Sequence, residues 1–262
     1  MTPAMYPTFA GLYDLAFGWD PEFEFRTVDA LLMAQGTSRL DVAVDAGAGT
    51  GRFIPCLRRR FRRTYAVEPD ADMFAVLQTK HEGTEGPGEL VLARAAMESF
   101  SMALPADAVV AMTDTLSYVL PDERCSRFVA NVAAVLRPGG AFLVDAGMWS
   151  GYAGESRAEH WTSEVADGWF VRAAFEATIS SQSVPGQCPR KVETLLFEAN
   201  RPSVSIVRSS RQETLAFTHT WLLDMLGAHG LAFRGAAEPG KVEVHTSPLP
   251  TAKRLFYSFV KT

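Results

Sequence analysis

The fold class follows from the segment Val44-Asp45-Ala46-Gly47-Ala48-Gly49-Thr50-Gly51-Arg52 of this 262-residue chain. The apolar run Val42-Ala43-Val44 predicts a short buried strand leading into the glycines, and Phe53 and Leu57 belong to the apolar stripe of a helix after them. Glycines between a buried strand and a helix let a ligand approach the backbone closely. The helix beyond them adds free N–H groups and the positive end of its dipole. The segment therefore predicts a small-molecule site where a strand meets a helix.

The glycine spacing and Asp45 distinguish between classes of ligand, and a second acidic residue, Glu68, adds a ribose-binding candidate. The spacing Gly-x-Gly-x-Gly is one residue tighter than the dinucleotide fingerprint, and Asp45 lies two residues before the first glycine. A carboxylate there would attract the ammonium of an aminoacyl group and repel a pyrophosphate. Glu68 ends the next predicted strand, Tyr65-Ala66-Val67, where a carboxylate can accept hydrogen bonds from ribose hydroxyls, as it also does in NAD folds. The alternative is that both acids are ordinary strand-end carboxylates.

The patterns along the chain divide it into a core and an insertion. Up to about residue 147, short β-rich runs alternate with helical patterns, which is typical of a parallel sheet covered by helices. After that, residues 169–180, 191–200 and 203–217 predict three longer strands separated by turns. We therefore predict an α/β fold with a doubly wound, Rossmann-like, seven-stranded and mostly parallel sheet and an antiparallel β insertion after the fifth strand. The predicted regions are an N-terminal lid and helix (1–36), a ligand-binding core (37–147), an antiparallel cap (148–217) and the end of the core (218–262).

Three motifs of the chain resemble those of class I S-adenosylmethionine-dependent methyltransferases. They are Val42 to Phe53, Ala66-Val67-Glu68-Pro69-Asp70 and Leu136-Arg137-Pro138-Gly139-Gly140. Within that family the chain is most similar to small-molecule enzymes such as glycine N-methyltransferase and amino-sugar N,N-dimethyltransferases, which also carry an antiparallel insertion after the fifth strand. The resemblance covers most of the chain except the insertion. It implies S-adenosylmethionine as the cofactor and S-adenosylhomocysteine as the product.

The resemblance also implies where each part of the cofactor binds. The glycines would pass under the methionyl group, Asp45 would hold its ammonium directly or through water, and Glu68 would bind the ribose. Relatives often have an acid where Ala96 stands here, so the adenine amino group needs a backbone or water acceptor, with the bulky Met97 beside the ring. The implied cofactor-binding residues are Tyr13, Asp45, Ala46, Gly47, Gly49, Gly51, Glu68, Pro69, Met73, Ala96, Met97, Thr113 and Leu116.

The residues implied on the acceptor side come from several parts of the chain. Asp114 and Tyr118 follow the fourth strand, where relatives flank the reactive methyl, and they are candidates for orienting the acceptor or taking its proton. The segment Leu12 to Phe17 resembles the lid that closes over the cofactor, although Tyr13 can also be read as an ordinary half-buried aromatic residue. The alternative to substrate binding is core packing for Trp149 and an ordinary surface position for His160. The candidate substrate-binding residues are Phe17, Trp149, His160 and Arg211.

Composition excludes several other classes of function. The net charge of −5 favours neither nucleic acid nor an anionic membrane as a partner. The three cysteines are far apart and form neither a disulfide framework nor a metal pattern, and none of the five histidines has zinc spacing with another ligand, so no metal is predicted. Asp14 and Asp20 precede any basic residue and no long apolar run follows, which argues against a signal peptide, and no stretch is apolar enough to span a bilayer, so we expect a cytoplasmic protein.

The favoured function is transfer of a methyl group from S-adenosylmethionine to the nitrogen or oxygen of a small-molecule acceptor, in the biosynthesis of a specialised metabolite. The alternatives are a non-methylating enzyme of the same fold, such as a cyclase, and a binding module without turnover. The intact Asp45, glycine loop and Glu68 favour an enzyme over a module. The insertion, from about Trp149 to Phe217, is expected to form most of the acceptor pocket, with a homodimer interface as its alternative role.

Overall fold

Two β-sheets organise the computed structural model, which describes residues 10–18, 20–36, 40–148, 157–165, 168–179, 187–247, 249 and 252–262. The strands are β1 (Val42–Ala46), β2 (Arg63–Val67), β3 (Glu89–Ala93), β4 (Ala106–Ala111), β5 (Leu136–Gly147), β6 (Arg157–Val165), β7 (Trp169–Ile179), β8 (Arg190–Arg201), β9 (Val204–Leu215), β10 (Leu231–Ala237) and β11 (Arg254–Lys261). The α-helices are α1 (Tyr13–Ala16), α2 (Pro21–Ala34), α3 (Ile54–Arg60), α4 (Ala71–His81), α5 (Asp122–Val135) and α6 (His219–Ala228). Short 3₁₀ turns span Ala10–Leu12 and Thr115–Tyr118.

The larger sheet has seven strands in the order β10-β11-β5-β4-β1-β2-β3. Strands β1 to β5 pair in parallel, and β11 is antiparallel to both of its neighbours. Apolar residues fill both faces of this sheet, since β1 and β4 are buried throughout. The chain leaves β1 for β2 on one side and reaches β4 on the other, so the strand order reverses at β1. A crevice at the carboxyl ends of β1 and β4 is therefore expected, and it positions the site described below.

The smaller sheet contains four antiparallel strands in the order β6-β7-β8-β9 and follows β5 in the chain. The predicted fold class, a mostly parallel seven-stranded sheet with an antiparallel insertion, is confirmed. The sequence predicted three of these four strands and missed β6, at the edge of the sheet. Its sequence, Arg157-Ala158-Glu159-His160-Trp161-Thr162-Ser163-Glu164-Val165, lacks the apolar alternation that marks a half-buried strand.

The two faces of the smaller sheet have different surroundings. One face, here called the inner face, carries the buried apolar residues Val171, Ala173, Leu195, Phe197 and Ala199, which pack with the N-terminal segment and with the ring of Tyr118. The opposite, outer face carries alternate residues of the same strands, which are mostly exposed. The inner face therefore lies against the core at the end of the sheet where the crevice opens. None of the described helices has the length and apolar character needed to cross a membrane.

Candidate active site

The glycine loop after β1 has a left-handed backbone at each of its glycines. The φ angles are +77° at Gly47, +58° at Gly49 and +84° at Gly51. A Cβ atom at Gly47 would lie 2.5 Å from the Cγ2 atom of Thr115, and a Cβ at Gly51 would lie 2.5 Å from Nε2 of His81. Other residues rarely adopt this backbone conformation, and no side chain fits at these two positions. The loop therefore needs glycine both to turn and to leave its neighbours room.

The crevice at this loop is a concave pocket that opens to solvent and is lined by the glycine loop, the N-terminal segment and the turn after β4. Concave sites of this kind take small-molecule ligands. The cavity is lined by ten of the residues predicted from the sequence: Tyr13, Asp45, Gly47, Gly49, Glu68, Pro69, Met73, Met97, Thr113 and Tyr118. The sequence did not predict the others that line it: Ala48, Thr50, Arg52, Phe53, Asp70, Met112, Thr115, Val119 and Arg124.

Asp45 places a buried carboxylate with an open position at the end of β1. Its side chain is 2% exposed, and its Oδ2 atom has no hydrogen-bond partner among the described residues. Burial raises the pKa of this carboxyl group to about 7, helped by the charge of Glu68 and opposed by that of Arg52. A buried carboxylate that lacks a partner is costly, and a cationic ligand group beside it would relieve that cost. The site therefore fits an ammonium group at this end of the cavity.

Glu68 follows β2 and lies at the other side of the loop. Its Oε2 atom accepts a hydrogen bond from the Gly49 amide at 2.7 Å, and its Oε1 atom accepts one from the Asp70 amide at 2.9 Å. Burial raises the pKa of Glu68, while these two backbone amides act to lower it. Each carboxylate oxygen accepts more than one hydrogen bond, so the fixed side chain can still receive hydroxyl donors from a ligand in the cavity.

The N-terminal segment covers the cavity and is tied to the glycine loop. Tyr13 lines the cavity, and burial raises the pKa of its phenol to about 12. Asp14 accepts a hydrogen bond from the Thr50 hydroxyl at 2.6 Å and forms an ion pair with Lys80 at 2.7 Å. The ring of Phe17 lies tilted against that of Tyr13, with 4.9 Å between ring centroids, and packs with the inner face; Phe17 does not line the cavity. These contacts hold the segment in a closed position.

A chain of buried charges runs behind the cavity. The Nη2 atom of Arg52 lies 2.8 Å from Oε2 of Glu24 and donates to the Thr113 hydroxyl at 2.9 Å. The other oxygen of Glu24 lies 2.8 Å from Nη1 of Arg254, whose guanidinium also pairs with the fully buried Asp145. Arg52 therefore presents a fixed cation to the same cavity as Asp45. The sequence signal for it was its place directly after the third glycine.

The two predicted catalytic candidates take different positions. Tyr118 lines the cavity, and its hydroxyl group donates to Oε2 of Glu193 at 3.1 Å. Asp114 is not among the lining residues: it has a left-handed backbone with φ of +58°, and its Oδ2 atom lies 2.7 Å from Nζ of Lys191. The other oxygen of Asp114 accepts from the Gly147 amide at 3.1 Å. Asp114 is therefore engaged with the insertion and with β5, and only Tyr118 faces the cavity.

The remaining predicted residues do not meet at the cavity. Ala46 and Leu116 are fully buried behind its wall, Ala96 is exposed nearby, and Gly51 faces α4 instead. His160 pairs with Ala174 and Arg211 pairs with Thr194, and both positions belong to the exposed outer face, because residues alternate between faces along a strand. Trp149 lies outside the described residues.

Two charged residues of the insertion contact Asp114 and Tyr118, and the sequence did not predict them. Lys191 and Glu193 stand on the inner face of β8, two residues apart, in line with Leu195 and Phe197. Charged residues at the apolar positions of an alternating strand are unusual, and that pattern was the signal available in the sequence. No set of three described His, Cys, Asp or Glu side chains is arranged to hold a metal ion.

Comparison with known proteins relates this geometry to a family. Residues 43–140 match the family model described as a methyltransferase domain. No curated protein matches the chain in sequence. Among solved structures, DesVI from Streptomyces venezuelae aligns with a TM-score of 0.78 at 18% identity, over 97% of this chain and 98% of that chain.

Two further structures agree over nearly the whole chain. An S-adenosylmethionine-dependent methyltransferase from Clostridium acetobutylicum ATCC 824 has a TM-score of 0.76 at 15% identity, over 98% of this chain and 99% of that chain. S-adenosylmethionine-bound CalS10, an amino pentose methyltransferase from Micromonospora echinaspora involved in calicheamicin biosynthesis, has a TM-score of 0.69 at 18% identity, over 96% of this chain and 97% of that chain. The chain thus has the fold of these methyltransferases, as its motifs predicted, and residues 43–140 match the model of a methyltransferase domain.

Proposed function

We propose that this protein transfers a methyl group from S-adenosylmethionine to the nitrogen of a small-molecule acceptor. The observation that carries the proposal is the buried carboxylate of Asp45 beside the glycine loop, one oxygen of which has no hydrogen-bond partner in the part of the chain that the structure describes. An aminoacyl ammonium satisfies that oxygen, whereas a pyrophosphate would be repelled by it. The methyltransferase domain at residues 43–140 supports the same reaction.

The residues of the cavity match the parts of the cofactor in order. Asp45 would take the ammonium of the methionyl group, and Arg52 stands close enough to Asp45 to lower its pKa, which suits the neighbouring carboxylate of the same group. Glu68 would take the ribose hydroxyls. The apolar side chains of Pro69, Met73 and Met97 would enclose the adenine. These assignments follow the predicted site, with Arg52 added.

The chain contributes to the reaction mainly through positioning. When bound, S-adenosylmethionine supplies an electrophilic methyl group on a sulfonium, with a neutral thioether as leaving group. Tyr13 and the N-terminal segment would exclude water from the cavity, and Tyr118 would orient the acceptor at its open side. Holding donor and acceptor in line without intervening water supplies most of the rate enhancement that such a displacement needs.

An amine is the acceptor class that we favour over a hydroxyl. A neutral amine attacks a methyl sulfonium without a strong base, whereas a hydroxyl needs one. Asp114, the carboxylate considered for that purpose, is engaged with Lys191 and the Gly147 amide away from the cavity. CalS10, which aligns over nearly the whole chain, is an amino pentose methyltransferase, and this supports an amine-bearing specialised metabolite.

The cellular compartment and the partners of the enzyme are part of the same proposal. Cys56, Cys125 and Cys188 are all buried free thiols, which suits a reducing compartment, and we place the protein in the cytoplasm. The inner face of the insertion would wall the acceptor pocket, and the exposed outer face is available for a homodimer. Neither nucleic acid nor a membrane is proposed as a partner, given the net charge of −5.

Substitution of Glu68 tests the proposal at the ribose. The variant Glu68→Ala removes a carboxylate whose hydrogen bonds to ribose are worth about 1.5–3 kcal/mol each, so S-adenosylhomocysteine should bind about tenfold more weakly or worse in a calorimetric titration. Glu89→Ala is the matched control, since Glu89 stands at the opposite end of the sheet in an exposed pair with Arg63. An unchanged dissociation constant in Glu68→Ala would show that the ribose binds elsewhere.

The acceptor class needs a separate assay. Protein is incubated with methyl-tritiated S-adenosylmethionine and a panel of amines, matched alcohols and phenols, and label transferred to each compound is counted. We expect transfer to amines. Transfer to hydroxyl compounds alone would replace N-methylation by O-methylation, and binding of the cofactor with no transfer to any compound would favour a non-methylating enzyme.

A further inference from the structure

The segment after β3 is held against helix α5 by two side chains of that helix. The side-chain amide of Asn131 donates to the carbonyl oxygens of Met97 and Phe100, at 3.1 Å each. Glu98, which lies between those two residues in the chain, accepts hydrogen bonds from the Nε and Nη2 atoms of Arg124. Because both contacts come from α5, they fix the position of Arg124 relative to Met97.

Arg124 lies at the part of the cavity proposed for the adenine. It lines the cavity together with Met97 and Met73. The segment that carries Met97 follows β3, whose last residue, Ala93, accepts a hydrogen bond from the Glu68 amide at 3.1 Å. The wall that Arg124 contacts therefore adjoins the carboxylate proposed for the ribose, where the base of the cofactor would lie.

The pair with Glu98 uses one edge of the guanidinium and leaves another edge for a ligand. Glu98 accepts from Nε and Nη2, which share one edge of the planar group. The next edge, formed by Nη1 and Nη2, still has a pair of N–H donors, and no described residue accepts from Nη1. The Arg124 side chain is 38% exposed, so a ligand in the cavity can reach it. The pKa of Glu98 is lowered, because hydrogen bonding to Arg124 outweighs the opposing effect of burial, and the pair stays charged.

A pair of N–H donors favours a base edge that carries adjacent acceptors. A guanidinium has no acceptor atom, so it cannot receive a hydrogen bond from the 6-amino group of adenine. A 6-oxo purine offers O6 as an acceptor beside N7, which is the edge that arginine recognises in guanine. Adenine offers N7 with an amino donor beside it, so Arg124 can use only one of its donors there.

We propose that Arg124 is a binding residue for the purine base of the cofactor, and that its paired donors let the site take a 6-oxo purine, as in S-inosylhomocysteine, as readily as adenine. Glu98 is the positioning residue, because it holds one edge of the guanidinium and thereby orients the next. The inference rests on the proposed function and deepens it by naming a polar contact for the base.

Calorimetric titration with ligands that differ only at the base tests the proposal on the wild-type protein. S-adenosylhomocysteine carries adenine, S-inosylhomocysteine carries hypoxanthine, and S-ribosylhomocysteine keeps the aminoacyl and sugar parts without a base. The wild type should bind the inosyl compound within about threefold of the adenosyl compound. An inosyl compound that binds more weakly than that would overturn the proposal.

Two variants of Arg124 separate its paired donors from its charge. Arg124→Met should weaken the inosyl compound about tenfold or more and the adenosyl compound about threefold, and leave the ribosyl compound within about twofold. Arg124→Lys keeps the charge but not the planar pair of donors, so its affinity for the inosyl compound should fall as in Arg124→Met. Equal weakening of all three ligands in Arg124→Met, or an unchanged affinity for the inosyl compound, would overturn the proposal.

Arg127→Met is the matched control. Arg127 stands one turn further along α5, is exposed and acts on the charge of Glu98, but it does not line the cavity, so its loss should leave all three affinities unchanged. Glu98→Ala should reproduce the selective loss seen in Arg124→Met, and an unchanged preference would show that Glu98 does not position the guanidinium. A wild type that binds no S-adenosylhomocysteine contradicts the proposed function itself, whereas normal binding with equal effects on all ligands contradicts only the role of Arg124.

Discussion

The two sides of the cavity use charge in different ways. On the cofactor side, Asp45 and Glu68 end neighbouring strands, and Asp45 keeps a buried oxygen that no described residue hydrogen-bonds. On the insertion side, the charges pair with each other across the chain: Lys191 and Asp114 are 77 residues apart, and Tyr118 and Glu193 are 75 apart. The cofactor side is a short local motif left open for a ligand, whereas the insertion side is a closed, long-range array that fixes geometry. Variants of each side should therefore fail in different ways.

The largest effect is expected from breaking the closed array. Lys191→Met leaves the buried carboxylate of Glu193 and the half-buried carboxylate of Asp114 without their cation, and removing one partner of a buried ion pair costs about 3–5 kcal/mol. Chemical denaturation should show that loss in the free energy of unfolding. Arg172→Met is the control, since Arg172 forms an exposed pair on the outer face and should cost about 1 kcal/mol or less. Equal losses in the two variants would show that the array does not stabilise the fold.

Alanine substitution of one glycine on each side compares the cofactor loop with the insertion at an equal cost in backbone strain. Gly47 in the cofactor loop and Gly168 before β7 have nearly the same left-handed φ, +77° and +73°. Alanine at either position costs about 1–2 kcal/mol of backbone strain. Only Gly47→Ala also places a Cβ 2.5 Å from the Thr115 side chain, whereas no atom of the described residues lies within 4 Å of a Cβ at Gly168.

Titration with S-adenosylhomocysteine separates these two variants. Gly47→Ala should weaken binding by about tenfold or more, and Gly168→Ala should leave the dissociation constant unchanged. Comparable weakening by both would mean that binding follows overall stability rather than the shape of the loop.

The same contrast explains what the sequence could and could not predict. The mostly parallel seven-stranded sheet, the glycine loop and the acids Asp45 and Glu68 follow from patterns within short segments, where strand burial and helix starts are set locally. The edge strand β6 was missed because its residues lack apolar alternation. The engagement of Asp114 with Lys191 depends on how the insertion packs on the core, and the outer-face positions of His160 and Arg211 depend on strand register. Arg52 was overlooked although it adjoins the motif.

A smaller effect is expected from pH, which should change the affinity for the cofactor product through Asp45, on the cofactor side. The pKa of Asp45 is raised from 3.8 to about 7 by burial, so below pH 7 the carboxyl group must lose a proton before it can bind an ammonium. The affinity for S-adenosylhomocysteine should therefore fall by up to about tenfold for each pH unit below 7. Calorimetry from pH 8 to pH 6 measures this, and Asp45→Asn should bind more weakly with a flatter pH profile.

The raised pKa of Asp45 also predicts how the stability of the ligand-free protein depends on pH. This dependence runs opposite to that of the affinity. Because the folded state binds the Asp45 proton more tightly than the unfolded state does, this group contributes stability at low pH that is lost as pH rises from about 3.8 to 7. The free energy of unfolding of the wild type should therefore fall relative to Asp45→Asn over that window. A difference that does not change with pH would show that Asp45 has an ordinary pKa in the folded protein.

Calorimetric titration of the wild-type protein with S-adenosylhomocysteine and, separately, with NAD at pH 8 tests the central claim most directly. Asp45 and the tight glycine spacing should give one bound S-adenosylhomocysteine per chain and no heat from NAD, because the charged carboxylate attracts an ammonium and repels a pyrophosphate. Binding of NAD without binding of S-adenosylhomocysteine would contradict it.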